Sequence, residues 1–322
     1  MKDIAQACGV SVATVSKALN GQPDIGEETR VRVCEMAQKM GYMTNSAARA
    51  LKTNRTYHLG VLFVDEMRSG LGHEYFSAIL ESFKTESERH GYDITFINHN
   101  VGRYRGVDGV AIACVDFQDP RVRELAESDL PLVTLDHVFN NRLAVMSDNV
   151  QGVEHLVHYA YEMGHRRIAF LHGEGTTVTQ NRLVGFYRAC EELGLEIPEV
   201  YVRESAYHDP DRCAAATMEL MELPERPTCI LFPDDYSFVG GQNALVRMGL
   251  RIPEDVSVMG YDGIHLAQVL GLTTYRQNTE ALGRIAAERL ISLIEHPKTT
   301  LVDRIMVSGE LIKGKTVKRL TK

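Results

Sequence analysis

Along the 322 residues, polar and apolar positions fall into two kinds of pattern that alternate almost to the end. Short continuous apolar runs, "HLGVLFV", "YDITFIN", "VDGVAIAC" and "LPLVTLD", are separated by segments with helical spacing over Glu74 to His90 and about Val122 to Glu127. The alternation resumes with "RRIAFLHG", "EVYVRE", "TCILFP" and "DVSVMGYDG". Between these lie predicted helices beginning near Gly152 and spanning Thr179 to Leu193, Pro210 to Met221 and Phe238 to Met248. A continuous apolar strand followed by an amphipathic helix is the mark of a parallel sheet covered on both faces. There are more such units than one sheet comfortably holds, so two doubly wound lobes are expected side by side. One interval is short: only "HNVGRYRGV" stands between "YDITFIN" and "VDGVAIAC", where a crossover with its helix needs ten to twelve residues or more. A missing crossover helix near 98–107, with one sheet face left bare, is therefore expected.

Before residue 57 the periodicity is different. Ile4, Ala5 and Cys8 share one side of a short helix that Gly9 can end in the left-handed conformation. Ser11 is placed to cap a second helix from Val12 to Asn20, in which Val15, Ala18 and Leu19 form one face and Val12, Ala13, Ser16, Lys17 and Asn20 the other. A third helix, about Glu27 to Met40, offers Val33, Met36, Ala37 and Met40 to the same small core. Two short helices joined by a glycine turn make a helix-turn-helix, whose second helix presents its outer side chains to the major groove of DNA. "TNSAARALKTNRT" then holds a helix of five or six residues from about Ala47, too short to persist alone. Arg49 and Leu51 suit a minor groove, one as a cation and the other as an apolar wedge.

The runs "DIAQACGVSVATVSKALNG", "TRVRVCEMAQKMGY" and "NSAARALK" resemble the DNA-binding head and hinge of the LacI/GalR (lactose/galactose repressor) family of transcriptional regulators. The resemblance implies a homodimer on a palindromic operator of double-stranded DNA. By matching position, Val12, Ala13, Ser16 and Lys17 would face bases or backbone, with Ser11 and Thr14 beside them and Asn20 supporting the helix end. Leu51 would intercalate next to Ala48, Arg49 and Lys52. The chain starts two residues before Asp3, without the threonine cap usual in relatives, so either the first helix frays or the sequence as given starts late.

Charge agrees with this division. Residues 1–57 carry eight Lys and Arg against five Asp and Glu, a net +3 within a chain whose total is −8. Only the head is suited to approach a polyanion. The six cysteines show no CxxC pair and sit in apolar segments, so buried reduced thiols are expected rather than disulfides or a metal site. With no apolar stretch of membrane length and no secretory leader, the expected location is cytoplasmic and away from membranes.

In the body, ligands of doubly wound lobes bind past the carboxyl ends of the strands. "SDN" supplies Asp148, "QNRLVGF" Arg182, "FPDDYSF" Asp235 and "GYDG" Asp262; each matches a signature of the same family, and the resemblance spans essentially the whole chain. In relatives the arginine and the late aspartate grip a sugar's hydroxyls or the edge of a metabolite, and both groups offer paired directional hydrogen bonds. Arg182 and Asp262 are the leading candidates, with Asp148 and Asp235 next, although either of the latter fits a helix-capping role. Phe76, Tyr75 and Phe139 are candidate stacking faces. "RSGLGHEYF" departs from the Asn-Pro-Phe-Phe type of loop that relatives carry. His73 and Glu74 are adjacent and so cannot share a helix face, and His165 reads as a surface or turn residue. No nucleophile elbow, phosphate loop or metal-ligand spacing is present, so neither an enzyme nor a cofactor is expected.

The sequence thus predicts an all-α helix-turn-helix head over 1–43, a hinge helix over 44–56 and a two-lobed α/β body of periplasmic-binding-protein type over 57–322. The first lobe is expected to comprise 57–148 plus about 279–299, and the second 149–275 plus about 300–315. The expected function is repression controlled by a small effector, a carbohydrate by class, held between the lobes. The alternative is a cytoplasmic sugar sensor or solute-binding protein acting without DNA. No long amphipathic tail follows Gly314 that would build a tetramer.

Overall fold

In the computed structural model, the described residues are 1–19, 24–40, 53, 55–63, 70–97, 106–113, 119–139, 142–297 and 304–320. The chain divides into two compact units, Met1–Tyr57 and His58–Lys322.

The head contains α1 (Lys2–Cys8), α2 (Val12–Leu19) and α3 (Glu27–Lys39). Gly9 takes φ 66° and ends α1 as its lack of a side chain allows. No side chain caps the start of α1. Ser11 caps α2, its Oγ accepting from Thr14 N–H at 3.0 Å. Ile4, Ala5, Cys8, Val15, Ala18, Val33 and Ala37 form the core, with Leu19 and Met36 packed against it. Two expectations fail here. Met40 is 47% exposed because α3 stops at Lys39, before Met40 can turn inward. Cys34 follows the buried Val33 by one position, 100° round the helix, and is exposed. The hinge segment 44–52 and Asn20 lie outside the described residues.

The body alternates strand and helix: β1 (His58–Phe63), α4 (Glu74–Arg89), β2 (Asp93–Phe96), β3 (Gly109–Ala113), α5 (Pro120–Glu127), β4 (Leu132–Leu135) and β5 (Leu143–Ser147). It continues with α6 (Asn149–Glu162), β6 (Ile168–His172), α7 (Thr177–Glu192), β7 (Val202–Glu204), α8 (Pro210–Met221), β8 (Cys229–Leu231), α9 (Phe238–Arg247) and β9 (Ser257–Asp262). The last elements are α10 (His265–Leu270), β10 (Thr273–Arg276), α11 (Thr279–Glu295), β11 (Arg304–Val307) and β12 (Glu310–Ile312).

Two six-stranded sheets result, ordered β11-β5-β4-β3-β1-β2 and β12-β10-β9-β8-β6-β7. All pairs are parallel except β10 with β12. The chain passes between lobes at Ser147–Asn149, Arg276–Thr279 and Val307–Glu310, always between the β5/β11 side of one lobe and the β10/β12 edge of the other. The edges formed by β2 and β7 are therefore farthest from the crossovers. The placement of all of 300–315 in the second lobe is corrected by β11, which pairs with β5 in the first sheet from Arg304↔Ala144 to Val307↔Ser147. Its alternation was too brief to reveal which neighbour it would join.

The short interval between β2 and β3 still crosses β1, since both strands pair with it in parallel. The twelve residues 97–108 could reach about 40 Å if extended, ample for returning one strand length and stepping across two strand spacings. Residues 98–105 are outside the described set. Asp93 and Thr95 of β2 are exposed, and Thr95 pairs with Gly60 of β1. Ile97 folds over Gly60, where an added Cβ would meet its Cδ1 at 2.5 Å.

Candidate effector site and DNA-facing helix

Arg182 lies in the first turns of α7, aimed into the cleft because Thr176 caps the helix and Phe186, one turn on, anchors it in the core. Its side chain is 4% exposed. Nε donates to Asn149 Oδ1 at 2.7 Å, one η nitrogen donates to the Pro233 carbonyl at 2.6 Å, and the guanidinium lies 3.6 Å from the centre of the Tyr261 ring. The other η nitrogen stands 3.8 Å from Asp262 Oδ1, an ion pair too long for a hydrogen bond. Of five guanidinium N–H groups, two are engaged in these bonds. Burial alone would lower the guanidinium's pKa, but Tyr207, Tyr261 and Asp262 around it raise it.

Asp262 ends β9 at φ 103°, a conformation unfavourable for any residue with a Cβ. Gln277 holds it: Nε2 donates to Asp262 Oδ1 at 2.6 Å and the Gln277 N–H donates to the Asp262 carbonyl at 3.1 Å. Burial raises the Asp262 carboxyl well above the usual range, against the pull of Arg182 and with Asp234 and Asp235 adding to the rise. Strain held in place beside a buried cation is a pattern found at ligand sites.

The first lobe contributes Tyr75 and Asp136. The Tyr75 hydroxyl donates to Asp136 Oδ2 and lies 3.1 Å from Gln277 Oε1, while Asp136 Oδ1 accepts from Ser147 N–H at 2.9 Å. A polar chain therefore runs from β4 through α4 to the Arg182–Asp262 pair of the other lobe. Phe76 is half-buried, edge-on to Phe63 at 5.7 Å and 5.2 Å from His73. Glu74 accepts from His265 N–H across the cleft, and the His73 and His208 rings meet there with nitrogens 2.6 to 2.9 Å apart.

Two sequence candidates are occupied elsewhere. Asp148 caps α6, accepting from Gln151 N–H at 3.1 Å. Asp235 clamps the loop after β9: Oδ2 accepts from Gly263 and Ile264 N–H at 2.7 and 3.0 Å, and Oδ1 from Thr274 Oγ1 at 2.7 Å. Burial pushes Asp235 up to about 7 despite these bonds. Phe139 belongs to the core beneath α5. His165 is fully buried, bonded to Thr228 Oγ1 and the Lys318 carbonyl, with burial depressing it to about 4. The segment after β12 covers it, a contact 153 residues away in sequence that local pattern could not reveal. Asn149, Tyr207, Tyr261 and Gln277 were not singled out; the "SDN" and "GYDG" motifs pointed within one residue of two of them.

In the head, Ser11, Val12 and Ala13 are exposed, Thr14 and Ser16 half-buried, and Lys17 exposed. Lys17 pairs with Asp24, whose carboxyl it lowers. This leaves Val12, Ala13 and Ser16 on the outer face of α2 and a cation at its end. Ala48, Arg49, Leu51 and Lys52 lie outside the described residues.

An outward-facing second helix on a small three-helix core, carried with a two-lobed α/β body whose cleft buries a strained aspartate and an arginine, defines a DNA-binding regulator with a ligand-sensing domain. Residues 1–45 match the family described as bacterial regulatory proteins, lacI family, and residues 157–317 the periplasmic binding protein-like domain. Over 342 residues the chain is 30% identical to the HTH-type transcriptional repressor PurR of Haemophilus influenzae (strain PittEE), covering 99% of both. It is 29% identical over 333 residues to the probable HTH-type transcriptional repressor ExuR of Bacillus subtilis (strain 168), covering 100% of this chain and 99% of that one. The chain belongs to the LacI family, DNA-binding transcriptional repressors with a small-molecule effector and not enzymes. The fold is also that of two solved structures, each at TM-score 0.72 and 24% identity. One is a transcriptional regulator CelR-cellobiose complex, covering 97% of this chain and 98% of that one; the other is the Lac repressor dimer bound to operator and the anti-inducer ONPF, covering 98% of both.

Proposed function

We propose that this protein is a homodimeric, cytoplasmic repressor that reads a palindromic operator and is controlled by a carbohydrate bound between the lobes of its body. Arg182 and Asp262 are the effector's primary contacts. The observation that carries this is the buried Arg182–Asp262 pair, 3.8 Å apart: a guanidinium and a carboxylate side by side offer paired, directional hydrogen bonds to adjacent hydroxyls that each donate and accept. Tyr75 and Phe76 supply the opposing wall, and Asp148 and Asp235 shape the site through the α6 cap and the β9 loop. The cellobiose in one structural neighbour supports a sugar as the class.

At the other end, Val12, Ala13, Ser16 and Lys17 contact bases or phosphates, with Ser11 and Thr14 fixing the start of α2 and Asn20 its end. Ala48, Arg49, Leu51 and Lys52, outside the described residues, are the proposed minor-groove contacts. An effector that prefers one lobe orientation shifts the population of dimers able to order both hinges.

A thermal-shift screen with mono- and disaccharides tests the effector class. A sugar that raises Tm, with the rise abolished by Asp262→Asn, is the expected result. Silence across sugars with a rise from a nucleobase overturns the carbohydrate assignment.

A further inference from the structure

Gln277 stands in the second crossover between the lobes, and its side-chain amide lies between Asp262 of the second lobe and Tyr75 of the first. One end of the amide is 2.6 Å from Asp262 Oδ1 and the other 3.1 Å from the Tyr75 hydroxyl, which also donates to Asp136 Oδ2. The nitrogen and oxygen of a primary amide have nearly the same shape, so their partners decide which end faces which. With Nε2 on Asp262, Oε1 faces a hydroxyl whose one hydrogen is already given to Asp136, and two oxygens meet with no hydrogen between them. The separations point the same way. An N–H···O bond is usually about 2.7–3.2 Å long and an O–H···O bond about 2.5–3.0 Å. The 2.6 Å contact therefore suits a carboxyl hydrogen, and the 3.1 Å contact an amide one.

We propose that in the effector-free protein Asp262 carries a proton and donates a hydrogen bond to Gln277 Oε1, while Gln277 Nε2 donates to Tyr75. Gln277 is then a positioning residue that passes the charge state of Asp262 to the first lobe. Each bond has one donor and one acceptor: Asp262 to Gln277, Gln277 to Tyr75, Tyr75 to Asp136, and the Ser147 N–H to the other Asp136 oxygen at 2.9 Å. The chain starts at the end of β9, passes through one crossover at Gln277 and ends at Ser147, where β5 enters another.

The surroundings favour a neutral carboxyl. Burial raises Asp262 most, Asp234 and Asp235 beyond β8 raise it further, and Arg182 on α7, 3.8 Å away, pulls it down without cancelling the rise. Tyr207 before α8, Tyr261 on β9 and Tyr75 on α4 also face it; burial above all holds them above the usual phenol value, so they bear no charge. Asp136, with His137 beside it, lies beyond Tyr75. On the effector reading given above, a ligand hydroxyl that donates to Asp262 favours its carboxylate. The proton then leaves to solvent, the amide turns to bring Nε2 onto the carboxylate, and Tyr75 loses its bond from Gln277. Effector capture is thus tied to the first lobe through one side chain with two discrete arrangements.

Infrared spectroscopy of the full-length, effector-free protein, with isotope-labelled aspartate to mark the carboxyl bands, tests this. At pH 5 an ordinary aspartate is ionised and Asp235, pushed up to about 7, is protonated. Asp262 should then add a protonated-carboxyl band of its own, the part lost in Asp262→Asn. That band should move to higher frequency in Gln277→Met, which removes the acceptor. Its titration midpoint should fall by about half to one pH unit in Tyr75→Phe, because the bond from Gln277 to Tyr75 exists only with the protonated form. Absence of an Asp262 band at pH 5 overturns the proposal. So does a band unmoved in Gln277→Met, or a midpoint in Tyr75→Phe equal to or above the parent's, which would leave Nε2 on Asp262 at every pH. Tyr75→Phe lacks a single oxygen and gives its answer even where Gln277→Met fails to fold. No arm uses an effector, so failure here is distinct from failure of the carbohydrate assignment, which the thermal-shift screen reads.

Discussion

Arg182→Met removes the charge while keeping an unbranched apolar stem of similar reach. The lost guanidinium makes two charge-assisted hydrogen bonds, to Asn149 Oδ1 and the Pro233 carbonyl, and neutralises Asp262 from 3.8 Å. Each such bond contributes about 1.5–3 kcal/mol, and breaking a buried ion pair from one side typically costs about 3–5 kcal/mol in total. We expect the variant to lose roughly 3–5 kcal/mol, which for a domain this size lowers Tm by about 10 °C. The loss depends on pH. Burial already raises Asp262 well above the carboxylate range, even beside Arg182. A folded-state pKa raised above the unfolded one gives stability that is complete below the unfolded value, about 3.9, and is lost as pH rises through the folded value. Without the cation Asp262 rises further, so the deficit relative to the parent grows as pH rises through the parent's folded-state value and does not shrink at any higher pH. Differential scanning calorimetry at pH 5 and pH 8 measures it, with effector binding abolished and operator binding retained at 25 °C. Equal melting at pH 8, or a deficit larger at pH 5 than at pH 8, refutes the reasoning.

Leu51→Ala, in the segment outside the described residues, should weaken operator binding by about 2–3 kcal/mol, some thirty- to more than a hundredfold, through loss of the apolar wedge; fluorescence anisotropy on labelled duplex reads the loss, and effector binding should be unchanged. Ser11→Ala removes the acceptor for Thr14 N–H and should cost the head about 1 kcal/mol, seen as faster amide exchange in α2 of the full chain while the body is unaffected. Gly240→Ala places a Cβ 1.7 Å from the Pro210 carbonyl oxygen, where α9 crosses the start of α8. Backbone on both sides leaves no flexible group to yield, so a loss of about 3 kcal/mol is expected in urea unfolding.

The strand and helix alternation was legible because nearly every central strand is buried on both faces and so reads as an unbroken apolar run; β3, β4, β5 and β9 are buried throughout. The outer strands were harder. β11 is four residues with one buried, and nothing in "RIMV" says which sheet it joins. "GYDG" and "QNRLVGF" pointed to Asp262 and Arg182 because polar residues past strand ends and in first turns are few, and the fold sets these two 3.8 Å apart. Within "SDN", Asp148 caps α6, the role weighed for it beside effector binding, and the adjacent Asn149, not singled out, holds Arg182. Asp235 likewise follows a strand, yet its carboxylate is absorbed by two backbone N–H groups and a threonine. His73 with His208, and His165 with the Lys318 carbonyl, are joined only by the fold. No spacing rule reaches across such distances.

The central claim is that residues before position 57 read duplex sequence under the body's control. Selection of bound duplexes from a randomised pool by the full-length protein, followed by affinity measurement, tests it most directly. The account predicts enrichment of a two-fold symmetric site bound at least about a thousandfold more tightly than a scrambled duplex at physiological salt, with that preference changed by the effector. Recovery of no symmetric site, or equal affinity for selected and scrambled duplexes, contradicts it.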